Sequence, residues 1–173
     1  MATALVAVAI AGCGGSSSGV SPASYVKSLC IALGAWKNEI QSAGLALQSS
    51  GAATASPAVA KQDYQRFVSA LLSATQHATS TLRSAGTPAV TRGTQIAVGL
   101  TSAFDRAGTE LSRANTQAGA IPTRNASVFQ IGAAAVTTQI KAALQGIATV
   151  TPGQSAQLRT AAGKSPACQA LSG

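Results

Sequence analysis

The chain is poorly equipped for acid–base chemistry, with one histidine and four carboxylates among 173 residues. A Ser–His–Asp or Cys–His arrangement would have to use His77, with Asp63 or Asp105 to orient it, and no nucleophile elbow is present. Di-iron bundles need Glu-x-x-His pairs, and neither Glu39 nor Glu110 is followed three residues on by histidine. No glycine-rich loop of the phosphate-cradling type occurs. Two cysteines, Cys30 and Cys168, and one distant histidine do not make metal-ligand spacing. These absences argue against an enzyme, and no catalytic, metal or cofactor residue is expected. Asp63 with Arg66, and Glu110 between Arg106 and Arg113, read as helix-surface ion pairs. His77 stands three and six residues from Ala74 and Leu71, which suits a rim histidine better than a haem ligand or a pH sensor.

Aromatic residues are also scarce at 3%. Tyr25, Trp36, Tyr64, Phe67, Phe104 and Phe129 are spaced for a core, so the remaining interior must be built from alanine and other small side chains. Charged residues are 9% of the chain, against roughly 25% in an ordinary soluble domain. The net charge is nevertheless +8. Its basic residues stand singly from Lys27 to Lys164, without the clustering and stacking aromatics of a nucleic-acid binder. A neutral consequence of host composition accounts for such a basic balance, and weak attraction to an anionic envelope surface is the functional alternative.

Long apolar runs are missing as well. Leu5 to Ala11 (LVAVAIA) falls far short of the roughly 20 residues of a membrane-spanning helix, but fits the apolar region of a secretory signal. It leads into Ile10-Ala11-Gly12-Cys13. The stretch IAGC resembles the lipobox of bacterial lipoproteins, in which a diacylglyceryl group is attached to the cysteine thiol and the preceding peptide is removed. The resemblance implies a signal peptide over 1–12, a lipidated flexible tether over 13–20 and a folded domain over 21–173. Cys13 is then the lipidation site, and the location is the outer face of the cell membrane. Two acyl chains suffice for stable anchoring, where one binds marginally.

With Cys13 set aside, Cys30 and Cys168 remain near opposite ends of the folded part. That placement suits a disulfide staple formed in an oxidising compartment; two buried thiols are the alternative.

What the chain has in abundance is helical periodicity. Ser21-Pro22 is a start signal, and Val26, Leu29, Leu33, Trp36, Ile40, Gly44 and Leu47 follow on one face. Trp36 reads as core before binding surface. Ser56-Pro57 starts a second helix through Tyr64, Phe67, Leu71, Ala74, Ala78 and Leu82, with Gly86 at its C′ position. Thr87-Pro88 is expected to open a third, with Val90, Ala97, Leu100, Phe104, Ala107 and Leu111 inward. Pro122-Thr123 leads into a fourth through Phe129, Ala133, Val136, Ile140, Leu144 and Ile147. Asn125-Ala126-Ser127 has the form of a glycosylation sequon, which a bacterial lipoprotein is not expected to use. A short helix around Ser155 to Ala162 carries Leu158 inward and brings Cys168 back to the first helix. Seven glycines (34, 44, 93, 99, 108, 132 and 146) fall inside these helices, where close helix–helix approach would account for them.

SYVKSLCIALGAW (Ser24 to Trp36) together with SPACQAL (Ser165 to Leu171) resembles the ends of small secreted helical lipoproteins of actinobacteria. In those, a cysteine on the first helix pairs with one near the C-terminus. That resemblance implies fold and location, and carries over no functional residues.

The expectation is an all-α, up-down-up-down four-helix bundle with a short C-terminal helix and a Cys30–Cys168 disulfide. Its expected role is a lipid-anchored, non-enzymatic binding or envelope-associated module, without cofactor or nucleic acid. Its partners would be the membrane and an anionic envelope component or another envelope protein. The alternative is a carrier holding an apolar small molecule or lipid between the helices.

Overall fold

Ser21 and Ser56 start the first two helices as their Ser-Pro pairs predict. The Ser21 hydroxyl accepts from the Ser24 amide at 3.2 Å and that of Ser56 from the Val59 amide at 3.5 Å, satisfying donors that a helix start leaves open. A computed structural model describes residues 19–51, 55–148 and 155–171. Cys13, the segment to Ser18 and Thr151-Pro152-Gly153 lie outside them. The long helices are α1 (Pro22–Ser49), α2 (Pro57–Ser84), α3 (Gly93–Ala120) and α4 (Ala126–Ala148), followed by α5 (Ala156–Lys164) and α6 (Pro166–Gln169).

Short connections make the long helices antiparallel neighbours. In this four-helix bundle α1 packs on α2, α2 on α3 and α3 on α4, while α5 and α6 lie against α1. Two core clusters stack along it. One joins Tyr25, Leu29 and Cys30 of α1 to Leu82, Leu100, Phe104, Ile147 and Leu158. The other joins Tyr64, Val68 and Leu71 to Leu111, Ala114, Ala118, Val136 and Ile140. We call the first the entry end, because the chain enters there at Gly19, and the second the far end. Alanines fill the positions between the large side chains, and the buried Thr75 and Thr79 donate to the carbonyls of Leu71 and Thr75 at 2.9 and 2.8 Å. Among the described residues no helix is long and apolar enough to cross a membrane.

Three boundaries differ from the sequence reading. The third helix begins at Gly93, not at Pro88, because residues 87–89 are engaged elsewhere (below). Asn125 starts α4, its side-chain oxygen accepting from the Val128 amide at 2.9 Å. The C-terminal part holds two short helices rather than one, since Ser165-Pro166 breaks the chain and restarts it.

Close approach explains few of the helical glycines. A Cβ on Gly93 would lie 1.9 Å from the Pro88 carbonyl oxygen, and one on Gly132 2.8 Å from the Ile121 side chain. At Gly44, Gly99 and Gly146 it would meet nothing within 4 Å, so packing gives no reason for glycine there.

Candidate functional site

The chain coming from Cys13 is caught as soon as it enters the described structure. The Val20 amide donates to the Thr87 carbonyl and the Ala89 amide to the Val20 carbonyl, both at 2.8 Å, forming a parallel bridge onto the α2–α3 turn. Gly19 suits this contact because a Cβ there would meet the Thr87 oxygen at 2.9 Å and the Ala89 nitrogen at 3.0 Å. One residue later Ser21 caps α1, so the pairing leads directly into the bundle.

The turn that receives it is tightly folded. Val90 donates to the Pro88 carbonyl at 2.8 Å and Gly93 to the Val90 carbonyl at 2.9 Å. Arg92 takes a left-handed conformation with φ 62°, and its exposed side chain leaves the turn at the start of α3. Gly19, residues 87–95 and Gln157 together line an open groove, which places the start of α5 at the same end as the entering chain.

The disulfide lies on this end too. Cys30 of α1 and Cys168 of α6 are bonded, with Cα atoms 5.0 Å apart and a separation of 138 positions in sequence. Leu158 of α5 is buried in the same cluster as Tyr25 and Leu29. The incoming segment, the α2–α3 turn and the C-terminal helices therefore form one pole.

Charge is unevenly divided between the ends. Lys27, Arg83, Arg92, Arg159 and Lys164 belong to the segments of the entry end, where Asp105 follows Phe104 of the same cluster. Arg83 reaches back along the bundle to Asp105 at 2.8 Å. The far end holds Asp63 with Arg66 and Glu110 with Arg113 as ion pairs, beside Lys61 and Arg124.

The remaining candidates are dispersed. His77 is exposed, its Nδ1 3.7 Å from the Glu39 carboxylate on α1. Trp36 is half-buried and belongs to the core: it packs edge-to-face on Phe104 with ring centroids 5.4 Å apart, and its Nε1 donates to Thr75 Oγ1 at 3.2 Å. Asp63 is not a surface residue, its side chain being only 4% exposed while its partner Arg66 lies in solvent. Its place four residues before Phe67 and eight before Leu71 puts it on the inward stripe, the signal that its charge masked. Burial raises the pKa of the Tyr25 phenol. It raises that of Tyr64 too, with the hydrogen bond from Thr137 pulling the other way; the Tyr64 hydroxyl also donates to the Ala133 carbonyl at 3.0 Å. No three metal-ligating side chains come together among the described residues.

Between α1 and α2 runs an apolar groove of about 280 Å³, walled by Ala43, Leu47, Phe67 and Ala70, with Asp63 and Arg66 at its margin. The chain matches no protein-family model, no curated protein and no solved structure.

Proposed function

We propose that this protein is a lipid-anchored bundle on the outer face of the cell membrane, attached through Cys13 and acting as a non-enzymatic binding or envelope-associated module. The observation that carries the reading is the division of labour among three cysteines. Cys30 and Cys168 are joined, which suits an oxidising compartment, and Cys13 is left over within IAGC, ahead of a glycine–serine stretch. A thiol beside a short apolar leader is then an attachment point, and a diacylglyceryl group with a further acyl chain on it would hold a bundle whose described helices do not span a bilayer.

The entry geometry supports the same reading. An anchor at Cys13 is separated from the clamped Val20 by a few residues, so the bundle is held close to the membrane by one defined pole. Cell fractionation tests it. The wild-type protein is expected in the membrane pellet and released by detergent, whereas Cys13→Ala is expected to lose its lipid and leave the pellet. Retention of Cys13→Ala in a detergent-soluble membrane fraction would overturn the anchoring role of that residue.

The carrier alternative draws on the groove between α1 and α2. At about 280 Å³ it stands at the lower edge of small-molecule pockets, room for a short apolar group rather than a lipid. Organic extraction of protein from its own membranes should release a stoichiometric apolar compound if the carrier reading holds.

A further inference from the structure

The cations that look scattered in sequence are gathered by the fold. Asp63 and Glu110 lie at the far end, and Asp105, which follows Phe104 of the entry-end cluster, is held by Arg83. Of the five cations at the entry end, Arg83 is engaged by Asp105, whereas Lys27, Arg92 and Lys164 make no ion pair with the described residues. All three are exposed. Arg92 projects from the turn that grips Val20, Lys27 lies in the second turn of α1, and Lys164 ends α5 where it packs on α1. Val98 of α3 and Ile31, one turn beyond Lys27, add exposed aliphatic side chains at 55% and 51%.

We propose that this entry end rests on the anionic headgroups of a phospholipid bilayer, with Lys27, Arg92 and Lys164 as the contacting cations, so that the bundle stands on the membrane in one orientation. The proposal builds on the lipid-anchor reading for its proximity. Six residue steps separate Cys13 from Gly19, a fully extended reach of about 21 Å. An acylated Cys13 therefore holds the pole within two or three Debye lengths of the headgroups at physiological salt, each about 8 Å. At that range a few cations suffice to fix orientation, and aliphatic side chains between them fit the interfacial zone. The far end has less of this character, because Arg66 and Arg113 are bound to its own carboxylates and Lys61 and Arg124 remain.

The test uses the full chain with Cys13→Ser, so that binding is read without acylation, and pelleting with phosphatidylcholine vesicles containing half phosphatidylglycerol. Pure phosphatidylcholine vesicles read whatever the apolar leader contributes. The expected result is binding to the anionic vesicles that exceeds the neutral ones and falls steeply between 20 and 200 mM salt. Lys27→Glu with Lys164→Glu should weaken the anionic-specific part by about thirty-fold or more. Lys61→Glu with Arg124→Glu, the same change in net charge at the far end, should leave it within about two-fold. Equal losses from both pairs would show that net charge acts without a preferred surface, and overturn the proposal. So would binding indifferent to lipid charge or salt, or displacement by soluble polyphosphate at equal phosphate, which would assign the pole to another polyanion. Far-ultraviolet circular dichroism of each variant checks folding, and parent-chain binding that ignores salt overturns the proposal without any charge variant. Failure of acylation in cells would remove the anchor reading alone, since these vesicles are bound by unacylated protein.

Discussion

Cys30 and Cys168 join the first long helix to the last short one, their Cα atoms 5.0 Å apart. The bond ties α6 to α1 over the cluster that contains Tyr25, Leu29 and Leu158. It therefore closes a loop containing almost the whole described fold.

In the chain-entropy treatment a loop of 138 residues corresponds to about 5 kcal/mol taken from the unfolded state. Cys30→Ala with Cys168→Ala should lose a large share of that, measured by urea unfolding monitored by circular dichroism. A loss below about 1 kcal/mol would mean that α5 and α6 hold to α1 by packing alone.

Glycine substitutions should sort by the space around each position. Gly44→Ala and Gly99→Ala place a methyl group where nothing lies within 4 Å, so each should stabilise by about 0.5–1 kcal/mol through helix propensity. Gly93→Ala drives a Cβ to 1.9 Å from the Pro88 carbonyl and should destabilise strongly, with faster hydrogen exchange at Val20 and Ala89. A destabilised Gly99→Ala would show that α3 has a neighbour on that face.

These contrasts mark what the sequence could disclose. Ser21-Pro22 and Ser56-Pro57 were legible because a cap is a local device, and the inward stripes of the four long helices because periodicity is local too. Thr87-Pro88 has the same form, yet its backbone pairs with Val20, a tertiary contact that no local rule anticipates. Asp63 reads as a surface charge by residue type and is buried by register. Arg83 and Asp105 meet across α2 and α3 at 2.8 Å with no pairing signal at their spacing. The staple cysteines were legible as the pair left after Cys13, whereas the cationic pole exists only once three distant segments share one end. Cys13 itself lies outside the described residues, so its role rests on the sequence.

The two helix-surface arginines should not be equivalent. Removing Arg66 leaves the buried Asp63 carboxylate without its ion-pair partner, and Arg66→Ala should cost about 1–3 kcal/mol. Arg113→Ala removes an exposed partner of Glu110 and should cost under about 0.5 kcal/mol. Thermal unfolding of the two variants side by side reads the difference; equal, small effects would show that water solvates Asp63.

Alkaline pH should expose the buried tyrosines. The phenols of Tyr25 and Tyr64 have pKa values raised by burial, so both states are protonated below the unfolded value of about 10 and the stability is complete there. Above it the unfolded chain loses these protons first, and stability falls as pH rises toward the folded values. Unfolding midpoints at pH 9, 10.5 and 11.5 should fall progressively, and Tyr25→Phe should flatten the decline. A decline unchanged in Tyr25→Phe would exclude that phenol as a cause.

The proposed membrane anchor turns on a single thiol. Mass spectrometry of the protein from the membranes of its own cells should find a mature chain beginning at Cys13, its sulfur carrying a diacylglyceryl group and its Cys30 and Cys168 peptides disulfide-linked. An N-terminal peptide that runs intact through Gly12 into an unmodified Cys13 would contradict the account.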